Sequence, residues 1–193
     1  MHQAWRKRRG LYPARAVVLA GWILLAHGPL AASASTQALA FEEYETRAAF
    51  ILSLAKFTEW PETSLPPGEP LVIGVMGESP LARALDGLAR APWMGRRVLV
   101  RRLRRSPEAQ GCQILYFPGA EEQALPAIRT RLAAQGTLTI GETSFFMGYG
   151  GAMQLFNENG KLRFILNRSV LDQSRLRVAA QVQRLAKQVI NQP

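Results

Sequence analysis

LVIGVMGESPLARALDGLAR, residues 71–90, sets the fold class. Its first six residues are an apolar run without polar alternation, the pattern of a strand buried on both faces. Gly77 breaks the run, and Pro80 opens a helical stretch over 81–90, where its missing N–H goes unnoticed. A doubly covered strand followed at once by a helix is half of a βαβ unit.

The pattern recurs downstream. RRVLVRRL (96–103) reads as a second, more polar strand, and CQILYF (112–117) as a third, again unbroken and apolar. EEQALPAIRTRLAA (121–134) is helical, with Pro126 marking either its true start or a kink. TLTIG (137–141) is a fourth strand. GAMQLF (151–156) and KLRFIL (161–166) flank NENG (157–160), and Asn-Gly between two alternating runs predicts an antiparallel hairpin. The end, 169–190, is expected to be helical at least from Arg177, with Val178, Val182, Leu185 and Val189 at helical spacing. Upstream, 41–60 is expected to be a helix with Ala48, Ile51, Leu54, Ala55 and Phe57 inward and Glu45, Arg47, Lys56 and Glu59 facing elsewhere. Pro61 forces its end at or near Trp60. Together these predict an α/β fold: a three-layer α/β/α domain with a mostly parallel sheet, and an antiparallel C-terminal hairpin added to one edge.

The first 34 residues read as an export signal. Arg6, Lys7, Arg8, Arg9 and Arg15 precede the apolar run AVVLAGWILLA (16–26), and His27-Gly28-Pro29 ends it. Eleven residues are too few to span a bilayer, and small residues follow, as a secretory signal peptide requires. Cleavage fits after Ala34 or after Ala40, the first preferred, leaving 35–193 as one soluble domain. The leader takes five of the 24 basic residues and none of the 14 acids, which leaves 19 against 14, a net charge of +5 rather than +10. Part of the basic signal is therefore the export device, and export removes nucleic acid as a partner.

The inventory also limits the chemistry. Both histidines, His2 and His27, lie in the leader, so Ser–His and Cys–His catalysis and the commonest transition-metal ligand leave with it. Cys112 is the sole cysteine and is expected to be a buried free thiol, or else a disulfide to another chain. The carboxylates show no recurring pair, and Gly74-x-x-Gly77 has no following Lys-Ser/Thr to make a phosphate loop. No catalytic, metal or cofactor site is expected, and the protein is read as a non-enzyme.

YETRAAFILSLAKFTEWP (44–61), LVIGVMGESP (71–80), GRRVLVRRL (95–103), GCQILYF (111–117), LTIGE (138–142), GGAMQLFNENGKLRFILN (150–167) and RLRVAAQVQRLAK (175–187) occur in order. Together they resemble the YfiR family of exported regulators over nearly the whole mature chain. The resemblance implies a periplasmic repressor that binds the periplasmic sensor domain of a YfiN-like inner-membrane diguanylate cyclase, or of a related sensor kinase. It would hold the enzyme inactive, lowering cyclic di-GMP and restraining biofilm formation. An outer-membrane lipoprotein can sequester such repressors, and family members are often dimeric. Better-studied members carry cysteine pairs, one joining the first buried strand to the position of Cys112. Here Gly74 stands at the matching position and the second pair is absent, which puts redox control in question.

Candidate contact residues follow from their types. Trp60 is either a lid on the core or a partly exposed anchor. Phe145, Phe146, Met147 and Tyr149 are either core filling or an adaptable apolar patch. Arg101 and Arg102, with Arg104 and Arg105, are either a charged strand edge that discourages aggregation or a contact for an acidic surface. A second functional reading stays open, a small-ligand sensor using the crevice at the strand C-termini.

Overall fold

The computed structural model describes residues 30–192, with side chains from Phe41 onward. The leader's basic cluster and its apolar run lie outside the described residues. Helix α1 (Leu30–Ala55) covers both candidate cleavage points, and among the described residues no helix is long and apolar enough to cross a membrane. Residues 38–193 form one compact unit.

The elements follow in order: β1 (Thr58–Glu59), β2 (Leu71–Met76), α2 (Pro80–Leu88), β3 (Val98–Leu103), β4 (Ile114–Phe117), α3 (Leu125–Ala134), β5 (Leu138–Gly141), α4 (Phe145–Gly148), β6 (Met153–Glu158), β7 (Lys161–Asn167), α5 (Arg168–Gln173), β8 (Arg177–Val178), α6 (Ala180–Leu185) and β9 (Gln188–Ile190). Seven strands form one sheet in the order β3-β2-β4-β5-β6-β7-β9. β3, β2, β4, β5 and β6 run parallel, β7 turns back against β6, and β9 runs beside β7 in its direction.

Alternation along the strands feeds two cores. Ile73, Val75, Ile114, Tyr116, Leu138 and Ile140 face α1, α2 and α5 on one side. Met76, Leu103, Leu115 and Phe117 face α3 and α4 on the other. The fold is thus the expected three-layer α/β/α arrangement. Local chemistry agrees with it: Ser79 caps α2 by accepting from Leu81 N at 3.2 Å. Pro126 falls in the first turn of α3, so it starts that helix rather than kinking it. Asn159 and Gly160 both take positive φ (52° and 74°), the type I′ geometry that matches strand twist.

Three expectations fail, each for a tertiary reason. The first helix stops at Ala55, not Trp60: Thr58 Oγ1 caps Leu54 O at 3.1 Å, and Thr58–Glu59 pairs with Arg177–Val178 as β1 on β8. Phe57 consequently faces solvent, 41% exposed, instead of packing with Leu54. The C-terminal segment is not one helix. α5 ends in a Schellman turn, with Leu176 N bonded to Leu171 O, Arg175 N to Asp172 O, and Arg175 at φ 56°. Val178 then joins β1, only α6 is helical, and Val189 enters the sheet. The edge beyond the hairpin is therefore β9.

Candidate partner-binding surface

Just after β1, Trp60 is half-buried against the larger core, and its indole N–H donates to Gln113 O at 3.2 Å. Gln113 is itself fixed, accepting from Val72 N at 2.8 Å and donating to Ser64 O at 2.6 Å. Trp60 thus closes the bottom of the sheet with its one donor already used.

The aromatic loop after β5 divides. Its residues form the one-turn helix α4, which turns Phe146 and Met147 into the core (0% and 6% exposed) and leaves Phe145 70% exposed. Phe146 therefore does not belong to a surface patch. Its ring lies 5.6 Å from that of Phe117 and fills a cradle of glycines. A Cβ on Gly141 or on Gly151 would come within 2.2 Å of it, which gives both glycines a packing role. Tyr149 is half-buried beside the same core. What faces outward from this loop is Phe145.

The arginines of β3 are tied inward more than the sequence suggests. Arg101 donates to Glu108 O at 2.7 Å and to Gln110 O at 2.9 Å, and Arg102 pairs with Asp86 of α2. Arg105 pairs with Glu108 at 3.2 Å. β3 is an edge strand, as the charged-edge reading requires.

Cys112 is a free thiol, 3% exposed. Burial pushes its pKa up, opposed by Arg101, whose Nη1 lies 3.8 Å from the sulfur. The folded thiol keeps its proton to higher pH than the unfolded one. Its contribution to stability is present below the unfolded pKa and is lost as pH rises through the folded one. A thiol reagent at neutral pH is expected to leave native protein unmodified and to titrate one group in denaturant. Rapid labelling of native protein would show the thiol to be accessible.

A buried charge centre lies at the C-terminal ends of β4 and β5, where topology places ligand sites in such folds. Arg47 of α1 is only 8% exposed; its Nη2 bonds Glu43 at 2.7 Å and its Nη1 lies 3.6 Å from Glu142. Glu142 accepts from Tyr116 Oη and from Gly119 N, the latter at 3.0 Å. Glu122 accepts from the backbone N–H groups of Glu142 (2.6 Å) and Thr143 (2.8 Å). Burial first, and the Glu142 carboxylate second, push the Tyr116 phenol far above its ordinary range, so it acts as a fixed donor. Burial opposes the Arg47 charge, but Glu43, Tyr116 and Glu142 together outweigh it and hold its pKa up.

The sequence reading turned Arg47 outward, yet it stands four residues before Ile51 and seven before Leu54, on the buried stripe. That spacing was the available signal. Chemically the centre is a clamp between α1 and the strand ends. At the neighbouring end of β2, Glu121 lies against Gly77, where a Cβ would come within 2.7 Å of Glu121 Oε1. Among the described residues no cluster of three or more His, Cys, Asp or Glu could hold a metal ion.

Comparison with known proteins adds one strong match. A family model described as YfiR/HmsC-like matches residues 44–187, more than half of the chain. In structure the chain is similar to a conserved domain protein from Vibrio cholerae O1 biovar eltor, with a TM-score of 0.48 and 14% identity over 76% of this chain and 60% of that one. It is also similar to the ABC domain in complex with L-Trp from Streptococcus pneumoniae, with a TM-score of 0.46 and 12% identity over 62% of this chain and 55% of that one. The chain thus spans 60% and 55% of the lengths of these two structures. None of the curated proteins matches it.

Proposed function

The chain belongs to the YfiR/HmsC-like family of periplasmic regulators of cyclic di-GMP signalling, and from that premise we propose that it is an exported repressor. It binds the periplasmic sensor domain of an inner-membrane diguanylate cyclase, or of a related sensor kinase, and holds it inactive. The leader over residues 1–34 delivers it to the periplasm and is removed. Repression proceeds by surface contact, without turnover of a substrate. The observation that carries this reading is the continuous family match over residues 44–187.

The exposed aromatic on α4 supplies the contact chemistry. Phe145 stands 70% exposed on a turn that Phe146 and Met147 anchor in the core, so it is presented rigidly. Rigid aromatic side chains are the usual anchors of protein interfaces.

Phe145→Asp tests the assignment. An exposed substitution is expected to change stability by no more than about 0.5 kcal/mol, while crosslinking in cells loses the membrane cyclase that the unaltered protein captures. A variant that still captures the cyclase at the same level would remove Phe145 from the interface.

A further inference from the structure

One flank of the sheet carries the protein's excess positive charge. Residues 81–105 run from α2 through the edge strand β3 and hold eight arginines against one acid, Asp86. Elsewhere residues 35–193 carry 11 cations against 13 acids, so the rest of the exported chain is slightly acidic. Two of the eight arginines meet carboxylates, Arg102 with Asp86 and Arg105 with Glu108. Arg96 and Arg101 donate to backbone carbonyls, which fix their positions without cancelling their charge. Arg83, Arg90, Arg97 and Arg104 are exposed and form no ion pair among the described residues.

The same flank exposes apolar side chains, which a guard against strand pairing does not need. Between α2 and β3 the chain makes a two-residue turn, with Trp93 and Arg96 exchanging both backbone hydrogen bonds at 2.8 Å. Its central residues, Met94 and Gly95, take φ of 46° and 76°, a conformation that favours Asn-Gly or Asp-Gly. The hairpin between β6 and β7 follows that rule with Asn159-Gly160. Here a methionine takes the first position and stands 65% exposed. Trp93 anchors the turn: its ring is buried and its N–H donates to Leu52 O at 3.1 Å. Leu88 of α2 and Leu99 of β3 are each 40% exposed beside the arginines.

We propose that this flank docks the protein on the anionic phospholipid headgroups of a membrane surface, with Met94 entering the layer between the phosphates. Guanidinium forks match phosphate oxygens two at a time. Every cation of the segment is an arginine, while the three lysines outside the leader, Lys56, Lys161 and Lys187, lie elsewhere. The charges are strung out rather than gathered: β3 alone extends about 20 Å at the usual rise per residue, a layout that suits a plane. Interfacial binding combines attraction to anionic lipid with burial of apolar side chains, and the flank offers both. Phe145 follows β5, three strands across the sheet from β3, so the two surfaces are separate. The proposal rests on export but not on the cyclase, since it needs a membrane and no partner protein.

The test mixes the protein in the form that cells accumulate with vesicles and measures what sediments with the lipid. One set holds equal parts phosphatidylglycerol and phosphatidylcholine, the other phosphatidylcholine alone. Binding about ten-fold stronger to the anionic set is expected at about 0.1 M salt, and its loss at about 1 M, where charges are screened. Arg97→Glu combined with Arg104→Glu is expected to weaken that binding about ten-fold with an unchanged circular dichroism spectrum. Met94→Asn supplies the residue the turn favours, so it is expected to raise the melting temperature while weakening binding about three-fold. Binding indifferent to phosphatidylglycerol, or unmoved by the double reversal, would overturn the proposal. So would protein that sediments with neither set, which would leave the flank to an acidic protein surface. If the double variant fails to fold, Met94→Asn decides: parental binding by that variant counts against docking. No cyclase is present in this assay, so its failure leaves the repressor reading standing.

Discussion

Oxidised protein carrying Gly74→Cys is expected to resist denaturation by about 4 kcal/mol more than the same protein reduced. The geometry is already in place on adjacent strands. β2 and β4 pair in parallel with Gly74 beside Leu115, and a Cβ built on Gly74 lies 3.0 Å from Cys112 Sγ. That is about the distance from one bridging Cβ to the partner sulfur across an S–S bond of about 2.05 Å. The resemblance implies such a bridge in other members, with this chain retaining half of it, and the structure places the two positions in contact. Two obstacles are side-chain ends: Leu103 Cδ1 and Leu115 Cδ1 each come within 2.9 Å of the new Cβ and must rotate away. Their displacement subtracts from the gain, and the reduced variant is expected to be less stable than the parent. Thiol counting and denaturant melts in both redox states measure the effect. Two free thiols persisting under mild oxidation would show that the strands do not meet as described.

Arg47→Ala is expected to cost about 1.5–3 kcal/mol, because it removes a charge-assisted hydrogen bond to Glu43 and the cation beside Glu142, two partly buried carboxylates. Glu43 loses its hydrogen bond, and Glu142 keeps Tyr116 and Gly119 but loses the cation that balances it. In a chain of this size each kcal/mol lowers the melting temperature by about 2–4 °C. Arg47→Met retains the stem's packing against the core but not the charge, and should suffer nearly as much. A thermal melt separates the possibilities: a loss under about 1 kcal/mol for Arg47→Ala would mean that this arginine behaves like an exposed surface residue.

These effects show which parts of the molecule could be read from residue order. The central strands were legible because a parallel sheet covered on both faces demands unbroken apolar runs, and LVIGVM and ILYF supply them. The hairpin was legible because Asn159-Gly160 is a chemical requirement of its turn. The C-terminal segment was not. Its stop signal is Arg175 in the left-handed conformation, where glycine is usual, and its strands exist only because distant partners, β1 and β7, meet them. The same lack of local information hid the division within Phe145–Tyr149, since which face of a single turn points inward depends on the glycine cradle around Phe146. Arg47 is a different case: the spacing placed it inside, but charge suggested outside. Of the three partners that make its burial tolerable, Glu43 lies one turn away on the same helix, while Tyr116 on β4 and Glu142 just after β5 are distant in sequence.

The central claim is that this protein restrains a membrane enzyme by contact through a fixed surface. Cellular cyclic di-GMP tests it most directly, measured in a strain lacking the gene and then supplied with either the unaltered protein or Phe145→Asp at equal periplasmic levels. The account predicts a raised level on deletion, restored by the unaltered protein and left high by the variant. A level indifferent to deletion would contradict it.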